Sequence, residues 1–191
     1  NYHITELLNF QIAHLQIISP KLSFNIGAQF DKRSIESNDR GNHSDVHTGV
    51  YGMGVFRPSE QLNLTASLRL DNDKNYGTEL SPQLNISYVL PSLVLRGSVG
   101  RSIRAADYTE RYVSTNLQNL SPGRNLGNPD LMAENGWSQE LGLDYSINKN
   151  WQIKATGFLR QSSNLIDYIS TNESAIPVSY THLTLPTICS V

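Results

Sequence analysis

Cysteine is nearly missing: one residue, Cys189, serves the whole 191-residue chain, and none precedes it. A disulfide framework, a thiolate zinc site and a cysteine nucleophile are thereby excluded from the body of the protein. Charge is also sparse. Charged residues make up 17% of the chain, against roughly 25% in ordinary soluble domains. The net charge of −2 leaves no basic excess to hold nucleic acid. No apolar run approaches the roughly 18 residues of a spanning helix. The opening "NYHITELLNF" lacks the basic start and small-residue cleavage site of a signal peptide. Either the protein is cytosolic or its beginning lies upstream.

What is present is alternation. In "KLSFNIGAQFD", Leu22, Phe24, Ile26, Ala28 and Phe30 share one face, and Ser23, Asn25, Gly27, Gln29 and Asp31 the other. "LNLTASLRLD" repeats the pattern from Leu62 to Asp71, as do "QLNISYVL", "LVLRGSVGR" and the segment around Leu141, Leu143, Tyr145 and Ile147. Such segments are strands with one apolar and one polar face. Eight are expected, over 6–18, 22–32, 46–57, 62–71, 81–90, 93–101, 137–147 and 151–161. A phase shift near Ala13 predicts a bulge in the first. Glycines leave the facing of "VHTGVYGMGVF" ambiguous, and Phe158 breaks the alternation of the eighth.

The connections point to the architecture. Short links ("SPK", "PSEQ", "PS", "NKN") alternate with longer ones over 33–45, 72–80 and 102–136. If successive strands are antiparallel, every tight turn lies at one end of the sheet and every long loop at the other. Outer-membrane barrels sort their loops in this way. On the apolar faces, Tyr88, Tyr145 and Trp151 fall at the tight-turn end, and Phe30 and Trp137 near the other, as interfacial girdles do. The fold class is therefore all-β: an antiparallel up-and-down meander, part of a transmembrane β-barrel. A soluble antiparallel sheet with one buried face would show the same alternation.

The long connection carries specific text. "GRSIRAADYTERY" (100–112) and "GNPDLMAENGWSQELGLDY" (127–145) resemble the late barrel of TonB-dependent outer-membrane receptors. There a strand ends in a phrase like G-R-S-F-R-A-P, and a loop ending in G-N-P-x-L-x-P-E leads into S-x-E-x-G. Arg104, Ala105, Gly127, Asn128, Pro129, Asp130, Leu131, Glu134, Ser138, Glu140 and Gly142 match. Ala106 and Ala133 stand where proline is usual. The resemblance runs from about Val46 to Tyr168. It implies a barrel of about twenty-two strands filled by an N-terminal plug, of which this chain holds about eight. It further implies an outer-membrane location with lipid around the wall, TonB as a partner through the missing plug, and uptake of a large scarce solute such as siderophore-bound iron or cobalamin. The alternatives are a complete eight-stranded barrel acting as anchor or adhesin, and a soluble carbohydrate-binding sandwich.

No catalytic constellation, metal site or cofactor is read from the residues, so the protein is not expected to be an enzyme. His43 and His47, with Asp39 and Asp45 nearby, fall in or beside an expected loop. "DNDKNYG" offers Asp71, Asp73 and Asn75 at calcium-loop spacing, but Tyr76 replaces the glycine and Pro82 the glutamate. Arg69, Arg96, Glu140, Asp144, Lys154 and Arg160 would be costly in a dry core and suit a wet lumen or a plug surface. Ligand contact is expected of the long loop, from Arg104, Tyr108, Arg111, Tyr112, Asn116 and Arg124. Gly127, Asn128, Pro129, Leu131 and Glu134 are expected chiefly to shape that loop's return.

The ending "VSYTHLTLPTICSV" lacks charge and departs from the preceding pattern. It resembles one reading frame of a transposon-derived sequencing adapter: GTC TCT TAT ACA CAT CTG ACG CTG CCG ACG translates to Val178 through Thr187. The two preceding adapter bases, CT, fit a CCT codon for Pro177. The expected division is therefore 1–177 as receptor barrel and 178–191 as a non-native tail, which takes Cys189 and His182 with it.

Overall fold

A computed structural model describes residues 2–120, 124–171 and 174–190. Nine strands form one antiparallel sheet in strict sequence order: β1 (His3–Ser19), β2 (Leu22–Ser37), β3 (Gly41–Phe56), β4 (Leu62–Asp73), β5 (Gly77–Val89), β6 (Leu93–Arg104), β7 (Glu134–Asn148), β8 (Trp151–Thr171) and β9 (Ser174–Ser190). One short helix, α1 (Tyr108–Tyr112), lies in the long β6–β7 connection. The sheet is an open meander with β1 and β9 at its edges.

The register sorts the side chains as the alternation requires. Residues paired across an antiparallel ladder share a face. Ile26↔Gly52, Gly52↔Leu68, Leu64↔Ile86, Leu95↔Leu143 and Leu143↔Ala155 therefore trace one apolar face across the sheet. That face is not packed against protein: Ile26 is 56% exposed and Leu141 75%. Among the described residues, only Ile35, Leu131 and Ala133 are buried hydrophobic side chains. A sheet with this much bare apolar surface is stable only against an apolar surrounding.

Several expectations change. Two of the longer connections are hairpins, because β2–β3 and β4–β5 continue outward as paired strands to Ser37↔Gly41 and Asp73↔Gly77. Backbone pairing does not need an apolar face, so the strands outrun the alternation by which they were recognised. Each hairpin closes through three residues, with Gly41 (φ +80°) or Gly77 (φ +76°) in the left-handed region just after. That conformation is cheap only without a Cβ.

The bulge expected near Ala13 is absent. Pairing continues through Ala13↔Gly27 and shifts only between Ile17 and Ser19. Leu15 and Ile17 therefore lie on the polar face with Asn9 and Gln11, while His14 and Gln16 lie on the apolar one. In β3, Val50, Gly52 and Gly54 take the apolar face and Gly49, Tyr51 and Met53 the polar one. Phe158, opposite Glu140, is on the polar face. A ninth strand, not expected, pairs with β8 through three register shifts, between Ser162/Leu165, Leu165/Ile166 and Ile169/Thr171.

Leu64 lies on the apolar face between the two aromatic levels, paired with Ile86. In the protein reconstituted in lipid, Leu64→Arg is expected to cost about 2–4 kcal/mol near the bilayer midplane. Thr65→Arg, on the opposite face, should cost much less. Equal losses in reversible unfolding would show the facing to be wrong.

Candidate functional site

The β6–β7 connection folds into a strap, and its construction starts at α1. Five residues are too few to be stable alone, so both ends of this helix are fastened. At the start, the Asp107 carboxylate accepts the Glu110 backbone N–H (2.8 Å), and the Glu110 carboxylate accepts the Asp107 N–H (2.9 Å), a reciprocal capping box. At the other end, Gly127 N–H donates to the Val113 carbonyl (2.8 Å) and Asn128 N–H to that of Glu110 (3.1 Å). These bonds occupy carbonyls that a helix end leaves open. Gly127 packs so closely there that a Cβ would meet the Arg111 carbonyl group at 2.5 Å.

Arg111 is the centre of this fold-back. Only 2% exposed, it donates Nη1 to the Pro129 carbonyl and Nη2 to that of Leu131, both at 2.6 Å. Leu131 and Ala133 are buried beside it. Arg104, at the end of β6, grips Glu134, at the start of β7, through Nε (2.7 Å) and Nη2 (2.8 Å), and reaches Glu110 with Nη1 (2.9 Å). Glu134 also accepts the Ile166 N–H at 2.7 Å. Gly127, Asn128, Pro129, Leu131 and Glu134 thus all take part in closing the strap.

The strap is seated on the β2–β3 hairpin. The Tyr108 hydroxyl donates to the Arg33 carbonyl at 2.9 Å. Tyr112 stacks on His43 with ring centroids 3.5 Å apart and planes 6° from parallel. His43 Nε2 donates to the Arg40 carbonyl (2.7 Å). Asn116 Nδ2 donates to the Asn38 carbonyl (3.2 Å), and Arg124 pairs with buried Asp39 at 3.5 Å. Burial and then the nearby Asp45 charge push the Tyr108 phenol up to about 12. Tyr76, in the β4–β5 turn, is pushed up to about 12 by burial and then by Asp73 and Asp71.

Of the residues weighed for ligand contact, Tyr108, Tyr112, Asn116 and Arg124 meet the hairpin, Arg104 ties the strand ends, and Arg111 lies behind them. His43 and His47 are strand residues rather than loop residues. His47 lies between two carboxylates, with Nδ1 2.9 Å from Asp31 and Nε2 2.8 Å from Asp71. Arg69 bonds Asp71 through Nε (3.0 and 2.9 Å) and Gln29 through Nη2 (3.0 Å), and Gln29 bonds Asp31 at 2.7 Å. The bonds close a ring across β2, β3 and β4. Gly49 makes room for it, since a Cβ there would meet Arg69 Nη2 at 2.5 Å. Sequence spacing did not reveal this ring, because its members meet only through cross-strand register.

Asp71 and Asp73 belong to β4. Asp73 accepts the Asn75 N–H at 2.8 Å, shaping the turn. Arg69, Arg96, Glu140 and Asp144 share the polar face, where Arg96 pairs with Asp144 at 2.8 Å.

With this geometry in place, comparison with known proteins is informative. A family model described as TonB dependent receptor-like, beta-barrel matches residues 21–182. An iron-regulated outer membrane virulence protein of Vibrio cholerae is 33% identical over 130 residues, which cover 67% of this chain and 20% of that protein. The vitamin B12 transporter BtuB of the same species is 27% identical over 145 residues, 75% of this chain and 21% of the transporter. A crystal structure of a ferric enterobactin receptor mutant from Pseudomonas aeruginosa superposes with a TM-score of 0.76 at 17% identity, over 96% of this chain and 32% of that one. The chain thus spans about a fifth of the length of the curated relatives it matches.

Two expected outcomes follow from the strap. Arg111→Ala leaves the buried Leu131 carbonyl and the partly covered Pro129 carbonyl without their donors, and hydrogen bonds from charged groups contribute about 1.5–3 kcal/mol each. Proteolysis within 105–133 should therefore speed up by at least tenfold while the strands stay resistant. The phenols give the second. Because the folded state holds the Tyr108 and Tyr76 protons to about 12, above the unfolded value near 10, stability falls as pH rises between those values. Absorbance titration should show a late-ionising class, reduced in Tyr108→Phe and again in the double variant with Tyr76→Phe. An unchanged late class would place the shift elsewhere.

Proposed function

The chain belongs to the TonB-dependent receptor β-barrel family and to the bacterial outer membrane, and from that premise we propose that it is the ligand-capturing part of an uptake receptor for a large, scarce solute. The solute is a ferric chelate or a corrinoid. The carrying observation is the strap, a structured polar connection at the end of the wall that bears its longest loop, seated on a neighbouring hairpin by aromatic and amide groups. That end faces the outside in this architecture, where the longer loops are extracellular. Tyr108, Tyr112, Asn116 and the exposed edges of Arg104 and Arg124 offer the ligand surface, and Arg111 supports them from behind.

The apolar face lies against lipid. The polar face, with Arg69, Arg96, Glu140 and Asp144, looks into the lumen and onto a plug domain. Energy coupling to TonB resides in that plug, outside this sequence. Vitamin B12 and ferric enterobactin are stated in the names of two of the similar proteins, and both cargoes belong in the test.

In the full-length receptor, deleting 105–126 is expected to abolish binding of its cargo while leaving the protein in the outer membrane. Binding of cyanocobalamin and of ferric enterobactin is measured on the intact receptor and on the deletion. Unchanged affinity would make the strap a cover rather than a binding element.

Residues 178–191 are adapter-derived in this reading, and the native sequence departs after about Ile176. The irregular pairing of β9 suits an unrelated alternating segment placed against an open sheet edge. Sequencing genomic DNA across the Pro177 codon should replace Val178–Val191 with a different continuation. Recovery of the same fourteen codons from unamplified DNA would overturn the reading.

A further inference from the structure

β6 is paired unequally on its two sides. Toward β7 the ladder runs its whole length, from Leu93↔Tyr145 to Arg104↔Glu134. Toward β5 it stops at Gln83↔Gly100, although β5 continues to Gly77 and stays paired with β4 as far as Asp73↔Gly77. From Pro82 outward the wall is split, with Gly77–Pro82 on one side and Arg101–Arg104 on the other.

Pro82 gives a covalent reason for the split to begin there. Proline has no N–H to donate, and within sheets it belongs where a ladder ends or an edge is free. One side chain spans the opening beyond it. Arg101 donates Nη1 to the Leu80 carbonyl at 2.6 Å and Nη2 to the Glu79 carboxylate at 2.7 Å. Both side chains are well covered, at 17% and 24% exposure, so solvent weakens this pair less than an open surface ion pair. Where the backbone ladder ends, a guanidinium holds the two strands.

The strap gives the split a consequence. It leaves from β6, on one side, and is seated on the β2–β3 hairpin, on the other, through Tyr108, Tyr112 and Asn116. Arg104–Glu134 and Arg111 bind the strap to the β6–β7 ends as one piece. The hairpins form a second piece, held together by the ring through His47 and Arg69.

We propose that the β5–β6 split is a hinge seam latched by Arg101, along which the β6–β7 ends and the strap move as a unit away from β2–β5. The family reading supplies only the seam's place at the outer rim.

Hydrogen exchange on the full-length receptor in detergent tests the seam without any ligand, so its result is independent of what the receptor carries. Exchange rates report local opening. Arg101→Gln is expected to accelerate exchange at 78–81 and 102–104 at least tenfold, with 84–89 unchanged. Pro82→Thr supplies the missing N–H and should slow exchange at 101–104 at least tenfold as the ladder extends. Spin labels at Gln118→Cys and Lys74→Cys should report a broader distance distribution with Arg101→Gln and a narrower one with Pro82→Thr. Rates at 78–81 and 102–104 unchanged by Arg101→Gln, or raised equally along β4–β7, would overturn the latch. A distance distribution identical in all three proteins would overturn the hinge.

Discussion

Backbone hydrogen bonding between neighbouring strands is the constraint on which the rest of this structure depends. Within hydrocarbon no water can serve an unpaired N–H or C=O, so each strand of a membrane wall must be paired on both sides. From β2 to β8 the meander meets this demand by the shortest route, with each of these strands bonded to both its neighbours in sequence. Among the described residues no second layer covers the sheet. Most of its side chains can then divide, apolar on the face toward lipid and polar on the other, and a conventional core becomes unnecessary.

Above the bilayer the requirement relaxes, and the construction changes with it. Water now competes for every polar group, and there is little apolar area to bury. The strap is accordingly built from charge-assisted bonds: buried Arg111 on two carbonyls, and half-exposed Arg104 shared between Glu110 and Glu134. The ring through His47 does for the hairpins what Arg111 does for the strap. In both cases a guanidinium holds acceptors from separate positions, Arg111 on Pro129 and Leu131 and Arg69 on Asp71 and Gln29. Such networks are sensitive to the loss of any single member.

The wall was largely legible in the sequence, and the rim largely was not. Alternation marked the strands wherever lipid imposes it, as in 62–71, and failed where lipid stops. The outer parts of β2 and β3 carry Arg33 and Asp45 on one face against Ser34, Glu36 and Ser44 on the other, so they read as loop. The glycines after "DR" and "NY" were the available signal of tight hairpins. The phase change in β1 reads as a bulge if Leu15 and Ile17 are to return to the apolar face; the register instead leaves them on the polar face, opposite Asn25 and Ser23. The "GNPDL" text was legible as a loop-shaping phrase, and the structure supplies its mechanism, since Gly127 and Asn128 close α1 from behind. The burial of Arg111 had no sequence signal, because one arginine in a polar loop looks like any other.

Pairing strength therefore follows the surroundings along the axis of the wall. Between the aromatic levels, β5 and β6 are joined by a continuous ladder. Above it, Pro82 ends the ladder, and a reversible side-chain contact takes over. The same proline within the hydrocarbon would leave backbone groups without partners, at a cost of several kcal/mol each. At the rim, water can satisfy them whenever Arg101 lets go. A wall that must stay sealed against lipid gains from this division. Rigidity is kept where an opening would expose bare backbone to hydrocarbon, and freedom is confined to the height at which the strap sits.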